Sequence, residues 1–494
     1  MHPLIPFVIS IAAAAGAFLP TASGFRRRLL GLGSVLVSVS AAAVAAPALF
    51  SGVPVVWGPL HIDRFAAYVV CLIALVSALA ALAGVHYLAH GEKDGSTTAA
   101  GERTFGVFFH LFVLSMLLAA TADNLALLWI ALEATTLTTT MLVAFDRTRG
   151  AIEAAWKYII ICSTGITLGL LGVLMLIHSA GGADLGAGAF TFSSLRENAG
   201  LLSPETLRWA FVFLFVGVGT KVGFVPMHTW LPDAHSKTPS AISAMLSGIL
   251  LNVAFAVLLR TKPIVDASLG SSSWTGTFFL AFGLLSIALP SFIMLVQKNY
   301  KRMLAYSSVE HMGLMSFAAG LGPIGTTAAV IHMAGHALAK PALFFGAGEL
   351  LHAYRTTSIA DVRGVLERRP KTGTLFFLAL LALLGAPPSA LFVSEFLMAS
   401  YGMTVQPALT VVVLTLLVIV GFGMMRSTVG MLFSSETDEA PAHGHHAAAP
   451  AAAERWNLAT AAMLTGVGLC AALGLALLTA PGYAFFLTLS QSLS

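Results

Sequence analysis

The sequence predicts an all-α polytopic membrane protein of about fourteen transmembrane helices, and three observations support that fold class. First, 57% of the 494 residues are hydrophobic and 10% are charged, whereas about a quarter of an ordinary soluble domain is charged. Second, apolar runs of roughly 18 to 25 residues recur along the chain, and each is long enough to cross a hydrocarbon core about 30 Å thick. Third, the basic residues are concentrated in alternate connections between these runs.

The apolar runs define the predicted helices in chain order. No basic segment precedes the first run, which therefore predicts a membrane span rather than a cleaved signal. The predicted spans are 3–23, 29–50, 65–89, 104–121, 124–145, 155–178, 208–226, 236–259, 275–297, 302–320, 324–350, 373–400, 406–432 and 456–488.

The basic residues predict the orientation of these helices. Sixteen Lys and Arg residues lie in odd-numbered connections and five in even-numbered connections. By the positive-inside rule, the odd connections face the cytoplasm, and both termini face the outer side of a prokaryotic cytoplasmic membrane. The net charge of +4 then needs no nucleic-acid partner, because the loop bias already accounts for the basic residues.

The cysteine and histidine patterns argue against a metal or redox cofactor in this chain. Cys71, Cys162 and Cys470 fall singly in predicted spans, which excludes a CxxC metal cluster, a thiolate-bound iron–sulfur cluster and a disulfide framework. The HGHH sequence at 443–446 would allow metal binding, but its Ala/Pro-rich surroundings favour a solvated linker. We therefore expect no cofactor.

Two of the predicted helices are interrupted by prolines. The seventh meets Pro226, Pro232 and Pro239, and the sequence GAPPSA at 385–390 interrupts the twelfth. Backbone groups freed at membrane depth need protein or water partners. The two interruptions are five spans apart, and this odd offset predicts two five-helix repeats in opposite orientations. Interrupted helices at matching positions of inverted repeats indicate an ion or substrate site near the membrane midplane.

The repeats give the predicted domain organisation. Three N-terminal helices occupy 1–103, the first repeat occupies 104–260 with helix 7 broken, and the second occupies 273–432 with helix 12 broken. A flexible cytoplasmic linker is predicted at 433–455, and the C-terminal helix lies in 456–494.

Ionisable and polar side chains recur within the predicted spans. A charged group at the bilayer centre costs roughly 2.5–3.5 kcal/mol, so a series of them indicates function. His332, His336 and Lys340 are spaced by four residues and therefore lie along one face of a helix. The series consists of Glu133, Lys221, Lys237, Asn252, Glu310, His311, His332, His336, Lys340 and Glu395.

Several of these residues also have a structural interpretation. Glu133 would hold helices together through a lysine, Lys221 would cap carbonyl groups freed at the interruption, and Lys237 would extend to the membrane interface. The paired histidines His332 and His336 would be satisfied core residues. A zinc site lacks an evident third ligand, and a haem site lacks a histidine pair on a facing helix.

Acid and base alternate along this series, which predicts proton transfer. A lysine removed from water loses its proton more readily, and a nearby carboxylate opposes that loss. A Glu133–Lys221 pair would therefore act as a switch, and histidines, which titrate near pH 7, would pass the released proton along. Water admitted at the two interruptions would complete the path.

Four sequence passages resemble one family of membrane proteins. They are GTKVGFVPMHTWLPDAHSKTPSAISAMLSGILLNVAFAVLLR (219–260), KRMLAYSSVEHMG (301–313), HMAGHALAKPALFFGAGEL (332–350) and GAPPSALFVSEF (385–396). The chain resembles the antiporter-like subunits shared by respiratory complex I, Mrp-type cation/proton antiporters and membrane-bound hydrogenases, with hydrogenase-4 component F the nearest likeness.

The resemblance implies roles for individual residues. Glu133 would gate Lys221, and Glu395 would be the terminal station that opens to the far side. Several relatives have a lysine or histidine where this chain has Asn252, so the middle of the relay would depend on Lys237 and bound water. The full predicted relay is Glu133, Lys221, His228, Lys237, His311, His332, His336, Lys340 and Glu395, with Lys157, Asn252, Lys301 and Glu310 in support.

The sequence as a whole predicts a proton-translocating membrane subunit that performs no redox chemistry itself. Its expected partners are the lipid bilayer, other membrane subunits and a soluble redox arm with iron–sulfur clusters. Three alternatives remain open: a Na⁺/H⁺ antiporter subunit of Mrp type, a proton-conducting subunit of an inorganic-carbon uptake complex, and a purely structural anchor. Because the chain ends at helix 14 without a long lateral helix, we expect a middle or terminal module.

Overall fold

The protein is almost entirely helical in a computed structural model that describes residues 1–19, 21–182, 185–434 and 454–493. The helices are α1 Ile5–Phe18, α2 Ser23–Ala46, α3 Arg64–Lys93, α4 Ala99–Thr121, α5 Leu125–Val143, α6 Arg149–His178, α7 Phe192–Glu197, α8 Pro204–Val222, α9 Trp230–Lys237, α10 Ser240–Met245, α11 Leu251–Leu269, α12 Ser273–Leu295, α13 Tyr300–Gly320, α14 Pro323–Tyr354, α15 Val365–Arg368, α16 Pro370–Leu383, α17 Ala390–Val405, α18 Pro407–Phe433, α19 Leu458–Leu477 and α20 Ala480–Gln491.

One small sheet accompanies the helices in the described part of the chain. Strands β1 Val55–Trp57 and β2 Leu60–Ile62 form an antiparallel hairpin between α2 and α3, with Val56 opposite His61. The sequence analysis did not predict this hairpin, because three-residue strands are too short to show an alternating pattern. Of the predicted linker 433–455, residues 435–453 lie outside the described residues, and with them His443, His445 and His446.

The structure supports part of the predicted number of membrane spans. Eleven helical segments of the described chain are long and apolar enough to cross a membrane, and α1, α16 and α17 are shorter apolar helices. Helix α13 has 21 residues but is not among the eleven, and it carries Lys301, Arg302 and Glu310. Counting α1, α13 and the α16–α17 pair as three further spans gives fourteen, so that total remains a prediction.

Both predicted interruptions are present, and they share a local pattern. Helix α8 ends at Gly223, whose φ is +86°, and Pro226 follows three residues later. Helix α16 ends just before Gly385, whose φ is +69°, and Pro388 again follows three residues later. Glycine adopts positive φ without the steric cost that a Cβ imposes, and proline lacks the N–H that would continue a helix. A Gly-x-x-Pro sequence therefore ends the first half-helix at each site.

Small residues allow the helices around the first interruption to approach closely. An added Cβ at Gly217 of α8 would lie 2.3 Å from the backbone nitrogen of Gly169 on α6. A similar close approach occurs further along the chain, where a Cβ at Gly283 of α12 would lie 2.6 Å from the backbone nitrogen of Phe317 on α13. Helices in lipid associate largely through such packing of small residues. These contacts hold α6 against the helix that carries Lys221, and they hold α13, which carries Glu310 and His311, against α12.

The centre of the molecule is formed by two segments. Residues Ser240–Leu269, which include α10, a π turn and α11, and α14 each contain an 18-residue apolar stretch that is wholly buried inside the chain. Pro341 lies within α14 directly after Lys340, and an added Cβ at Gly248 of the π turn would lie 2.6 Å from the Pro341 ring. Two irregular backbone segments therefore meet beside Lys340.

Candidate functional site

Lys221 occupies the last turn of α8 and is completely buried. Its ammonium group donates to the Thr136 hydroxyl on α5 at 2.6 Å and to the Tyr158 hydroxyl on α6 at 3.0 Å. Tyr158 also shares a hydrogen bond of 2.7 Å with Thr139. The negative end of the α8 dipole favours a cation at this position. The lysine is thus held by hydroxyl groups at the point where its helix stops.

Glu133 reaches Lys221 only through a hydroxyl group. Its Oε1 accepts a 2.5 Å hydrogen bond from Ser163 on α6, and its Oε2 lies 3.5 Å from the Thr136 hydroxyl. No ion pair within 4.0 Å joins Glu133 to Lys221 in the described residues. Because Thr136 contacts both groups, the predicted acid–base pair is bridged rather than direct.

Two further buried lysines lie between the interruptions. Lys340 Nζ donates to the Leu304 carbonyl at 2.8 Å and to the Ser307 hydroxyl. Lys301 Nζ donates to the Thr238 carbonyl, just beyond α9, at 2.7 Å. Across the described residues, neither lysine has a carboxylate within ion-pair distance. A buried ion without a counter-ion is costly by several kcal/mol, so these groups suit proton exchange better than a role as fixed cations.

A chain of hydrogen-bonded histidines crosses from α13 to α17. His311 Nδ1 lies 2.9 Å from His332 Nε2 on α14, and His332 Nδ1 lies 2.9 Å from the Ser394 hydroxyl on α17. At the other end, His311 Nε2 lies 3.5 Å from the Glu310 carboxylate. The ring of His336 is 5.4 Å from that of His311. Three helices thus contribute to one polar row inside an apolar bundle.

The second interruption lies directly against the Glu395 carboxylate. An added Cβ at Gly385 would come within 2.3 Å of Glu395 Oε2. The ligand atoms of Glu395, His311 and His332 all lie within 4.8 Å of one another. Because Gly385 has no side chain, the space beside its backbone holds the Glu395 carboxylate next to the histidine row.

These last three side chains also form a set of donors for a cation. Two histidines and a carboxylate are a ligand set that zinc accepts with a fourth position open. The sequence analysis dismissed zinc partly because no third ligand was evident, and the fold supplies Glu395 as one. However, each ring nitrogen of His311 and His332 already faces a protein partner. Because these ring nitrogens already have protein partners, the geometry favours proton transfer along the row over metal ligation.

Several buried polar atoms along this region have no hydrogen-bonding partner in the described structure. They include both ring nitrogens of His235 and His336, both carboxylate oxygens of Glu310 by hydrogen-bond geometry, Nδ1 of His228 and Oδ1 of Asn252. The Asn252 amide nitrogen donates to the carbonyls of Gly248 and Met333, each at 3.0 Å. Buried polar groups are normally satisfied by protein or by ordered water. This stretch is therefore suited to bound water.

The remaining predicted residues lie at the edge of this network. His228 is buried, with its ring 6.2 Å from that of Tyr306. Lys237 is exposed at the end of α9. Lys157 is 46% exposed in its side chain and pairs with Glu153 at 2.6 Å and with Asp233 at 3.1 Å. The fold thus keeps Lys157 and Lys237 out of the buried row.

His235 is the main ionisable residue that the sequence analysis missed. It is completely buried, with its ring 6.2 Å from Trp230 and 5.6 Å from Phe344. Lys301 and Lys340 are close enough to act on it electrostatically. Its position in the same proline-rich passage as His228 was the available signal. The hydroxyl partners Thr136, Tyr158, Ser163, Ser307 and Ser394 were also missed, because such residues are common in membrane helices.

Comparison with known proteins identifies the family. The family described as NADH:quinone oxidoreductase/Mrp antiporter, TM matches residues 122–421. The chain belongs to this family. The matched range contains every residue of the network described above, and the resemblance inferred from the sequence motifs is confirmed.

Curated relatives agree with this assignment. The chain is 35% identical over 351 residues to the hydrogenase-4 component F homolog of Methylacidiphilum infernorum, covering 70% of this chain and 73% of that one. It is 28% identical over 348 residues to hydrogenase-4 component B of Escherichia coli, covering 68% of this chain but 50% of that one. It is 33% identical over 293 residues to NADH-quinone oxidoreductase subunit N of Ruthia magnifica, covering 58% and 59%.

Solved structures share the fold of this antiporter-like subunit over nearly its whole length. A chain of an archaeal membrane-bound sulfane sulfur reductase matches with a TM-score of 0.82 at 21% identity, covering 99% of this chain and 96% of that one. A chain of the Mrp complex from Dietzia gives 0.80 at 21%, with the same coverage. A chain of Thermus thermophilus complex I gives 0.75 at 23%, covering 98% of each. All three are subunits of multi-subunit membrane complexes.

Proposed function

We propose that this antiporter-like subunit translocates protons through its buried row of titratable and hydroxyl groups, within a multi-subunit respiratory-type membrane complex. The observation that carries the proposal is the sequence of contacts from Glu133 through Thr136 to Lys221, and from Glu310 through His311 and His332 to Ser394 and Glu395. An anchor would not need so many buried groups that lack counter-ions.

In the first half of the path, the Thr136 hydroxyl would transmit the proton. This hydroxyl accepts a hydrogen bond from Lys221 and donates one to Glu133. Rotation of the hydroxyl therefore changes which of the two groups it bonds to. When Glu133 is held by Ser163, Lys221 is left with hydroxyl partners only. Opening and closing of the bridge would therefore set whether Lys221 keeps or releases its proton, as the sequence analysis expected of a direct pair.

In the second half of the path, the histidine row would carry the proton towards Glu395. An imidazole accepts a proton on one ring nitrogen and releases one from the other. The direct His311–His332 contact allows that exchange without an intervening water. Glu395 lies at the end of the row, half-buried beside the second interruption, which suits a terminal station.

Bound water would join the two halves. His235 and His336 have unpartnered ring nitrogens, and both lie close enough to Lys340 to interact with it electrostatically. Asn252 leaves its carbonyl oxygen free in the same region. This arrangement supports a middle section that uses His235 and water, rather than the exposed Lys237, to connect Lys221 with Lys340.

The predicted repeats and domains remain part of this proposal. The Gly-x-x-Pro pattern at both interruptions, with positive φ at each glycine, supports two related units at 104–260 and 273–432. Each unit also has a glutamate in its second helix, Glu133 on α5 and Glu310 on α13. The N-terminal helices 1–103, the linker 433–455 and the C-terminal helix 456–494 would complete a fourteen-helix subunit.

The proposal also covers the orientation of the chain in the membrane and the coupling of proton movement to electron transfer. By the positive-inside rule, the basic connections would lie on the cytoplasmic side of a prokaryotic inner membrane together with the ends of α3, α9 and α14, and both termini would lie outside. Electron transfer would take place in partner subunits that hold iron–sulfur clusters. Related complexes include Mrp antiporters, so exchange of Na⁺ for H⁺ is the alternative that the experiment must separate.

The decisive experiment replaces Lys221 with Ala in the intact complex. Proton accumulation in inverted membrane vesicles, driven by NADH or H₂ as reductant, would be followed with a pH-sensitive dye, with and without added Na⁺. We expect Lys221→Ala to abolish accumulation while the complex still copurifies, because the substitution removes the ammonium group that donates to Thr136. The exposed Lys298, replaced with Ala, is the matched control. Undiminished proton accumulation in Lys221→Ala, or accumulation that requires Na⁺, would falsify the proposal.

A further inference from the structure

A second group of titratable residues lies near the C-terminal ends of α3 and α14, which the proposed orientation puts on the cytoplasmic side, and it is outside the row described above. We define it as the α3–α14 histidine cluster, which consists of His86, His90, Glu349 and His352. We propose that this cluster is the proton-uptake site that loads the buried relay from the cytoplasmic side. The inference rests on the proposed function, because an uptake site has meaning only if the relay moves protons.

The cluster brings three imidazoles and one carboxylate together from two helices. His86 Nε2 lies 3.3 Å from Glu349 Oε1. The His86 and His90 rings are 4.2 Å apart, and the His90 and His352 rings are 5.5 Å apart. All four side chains are half-buried, so they meet solvent on one side and protein on the other. An imidazole at this boundary has ring nitrogens that can accept a proton from water.

The surroundings of the cluster hold its geometry. Asn457 at the start of α19 donates to Glu349 Oε2 at 2.8 Å, which fixes the carboxylate between two partners. Tyr87 lies 5.8 Å from the His352 ring and donates to Asp146 at 2.9 Å. The other charges on this face include Arg355, which follows α14 and pairs with Asp94 at 3.3 Å. Glu349 and Arg355 therefore bring charges of opposite sign to His352.

The cluster belongs to the same helical stripe as the relay. His332, His336, Lys340, residue 344, residue 348 and His352 are each four apart, so they form one row, here called the stripe, that winds around α14 by about 40° at each step. Residue 348 is a glycine, and the Ser240 hydroxyl of α10 lies 3.1 Å from the position that a Cβ would take there. The glycine therefore leaves space on the stripe directly inside the cluster, and a hydroxyl group faces that space.

A small cavity lies between the cluster and Ser240. His86, Ser240, Gly348, Glu349 and His352 line a cavity of about 20 Å³, and a site of roughly 10–15 Å³ with polar partners holds one water molecule. Such a water would link the cluster to Ser240.

The inner end of this connection is His235. Phe344 occupies the next position on the stripe and packs against the His235 ring at 5.6 Å, so a proton cannot pass along α14 itself at this level. Ser243, one turn beyond Ser240, donates to the His235 carbonyl at 2.9 Å. That bond holds the His235 backbone beside α10, and both ring nitrogens of His235 are without a protein partner among the described residues. In the proposed path, the proton leaves the cluster through Ser240, crosses to the His235 ring by way of bound water, and continues to Lys340.

The experiment compares proton accumulation in inverted vesicles, whose medium bathes the cytoplasmic face, over the range from about pH 6 to about pH 8. The variant is the double substitution His86→Gln with His352→Gln in the intact complex. His61→Gln is the matched control, because His61 is half-buried at the opposite end of α3. We expect the double variant to lose on the order of tenfold at the alkaline end, where protons are scarce, and little at the acid end.

Each outcome has a defined meaning. A selective alkaline loss with normal copurification supports the uptake site, and the single variant Glu349→Gln should show the same trend. An equal loss at every pH indicates that the cluster merely holds α3 against α14, and this overturns the inference. A wild-type pH profile in the double variant also overturns it. If Lys221→Ala abolishes accumulation in the same vesicles, the proposed function stands whichever way the cluster behaves.

Discussion

The two interruptions use the same backbone device to place opposite charges. At the first, Lys221 lies in the last turn before the interruption, where the carbonyl end of α8 favours a cation. At the second, Glu395 lies in the second turn of α17, beyond the first turn over which the helix dipole acts, and its carboxylate faces the Gly385 backbone. The two interruptions therefore lie beside opposite charges, and the helix dipole favours the charge only at the first.

The two charges also differ in what surrounds them. Lys221 is completely buried and contacts hydroxyl groups, whereas Glu395 is half-buried and lies beside two histidines and a glycine. A closed site held by hydroxyls suits storage of a proton. A half-open site next to imidazoles suits release. The predictions that follow test this contrast, from the largest expected effect to the smallest.

Gly385→Ala should have the largest effect, since it removes the space that Glu395 occupies. The new Cβ would lie 2.3 Å from the carboxylate, and the positive φ at this position costs an L-residue about 1–2 kcal/mol. We expect proton accumulation in inverted vesicles to be nearly lost. Gly421→Ala on α18 is the control, because a Cβ there meets no neighbour within 4 Å. Normal accumulation in Gly385→Ala would show that the position of Glu395 is unimportant.

Thr136→Val should have an intermediate effect on the first site alone. The substitution keeps the shape of the side chain but removes the hydroxyl that contacts both Lys221 and Glu133. A hydrogen bond to a charged group contributes about 1.5–3 kcal/mol, so we expect turnover-linked proton accumulation to fall roughly tenfold or more. Thr136→Ser, which restores the hydroxyl, should recover most of it. Equal rates in the Val and Ser variants would mean that the bridge plays no part in transfer.

Lys237→Ala should have the smallest effect, although the sequence places this lysine in the relay. Its side chain is exposed at the end of α9, and surface substitutions usually change stability by no more than about 0.5 kcal/mol. We expect proton accumulation within about twofold of wild type. His235→Gln provides the contrast two residues away, because His235 is fully buried. A large loss in Lys237→Ala with none in His235→Gln would reverse the assignment of the middle section.

Much of the site could be predicted because burial of charge is visible in a hydropathy pattern. Lys221, Lys340, His332 and His336 stand out in long apolar runs, and all four are fully or almost fully buried. The interruptions were predictable for a similar reason, since glycine and proline act through their own backbone geometry. Such features depend on a residue and its immediate neighbours along the chain.

The connections between these residues could not be predicted in the same way. Thr136, Ser307 and Ser394 are indistinguishable in sequence from the many Ser and Thr residues here that bond to their own helix, such as Thr138 and Ser291. Only the packing of α5 and α8 on α6, of α13 on α14 and of α14 on α17 turns particular hydroxyls towards ionisable groups.

The sequence by itself determined that this chain lies in a membrane, where its helices break and which charges lie at membrane depth, because each follows from local composition and from the cost of placing a polar group in lipid. Tertiary structure alone decided that His235 is enclosed while Lys237 is exposed, that Thr136 separates Glu133 from Lys221, and that Glu395 reaches the histidine row. Those outcomes depend on which face each helix turns towards its neighbours, and that is fixed by contacts between residues far apart in the chain.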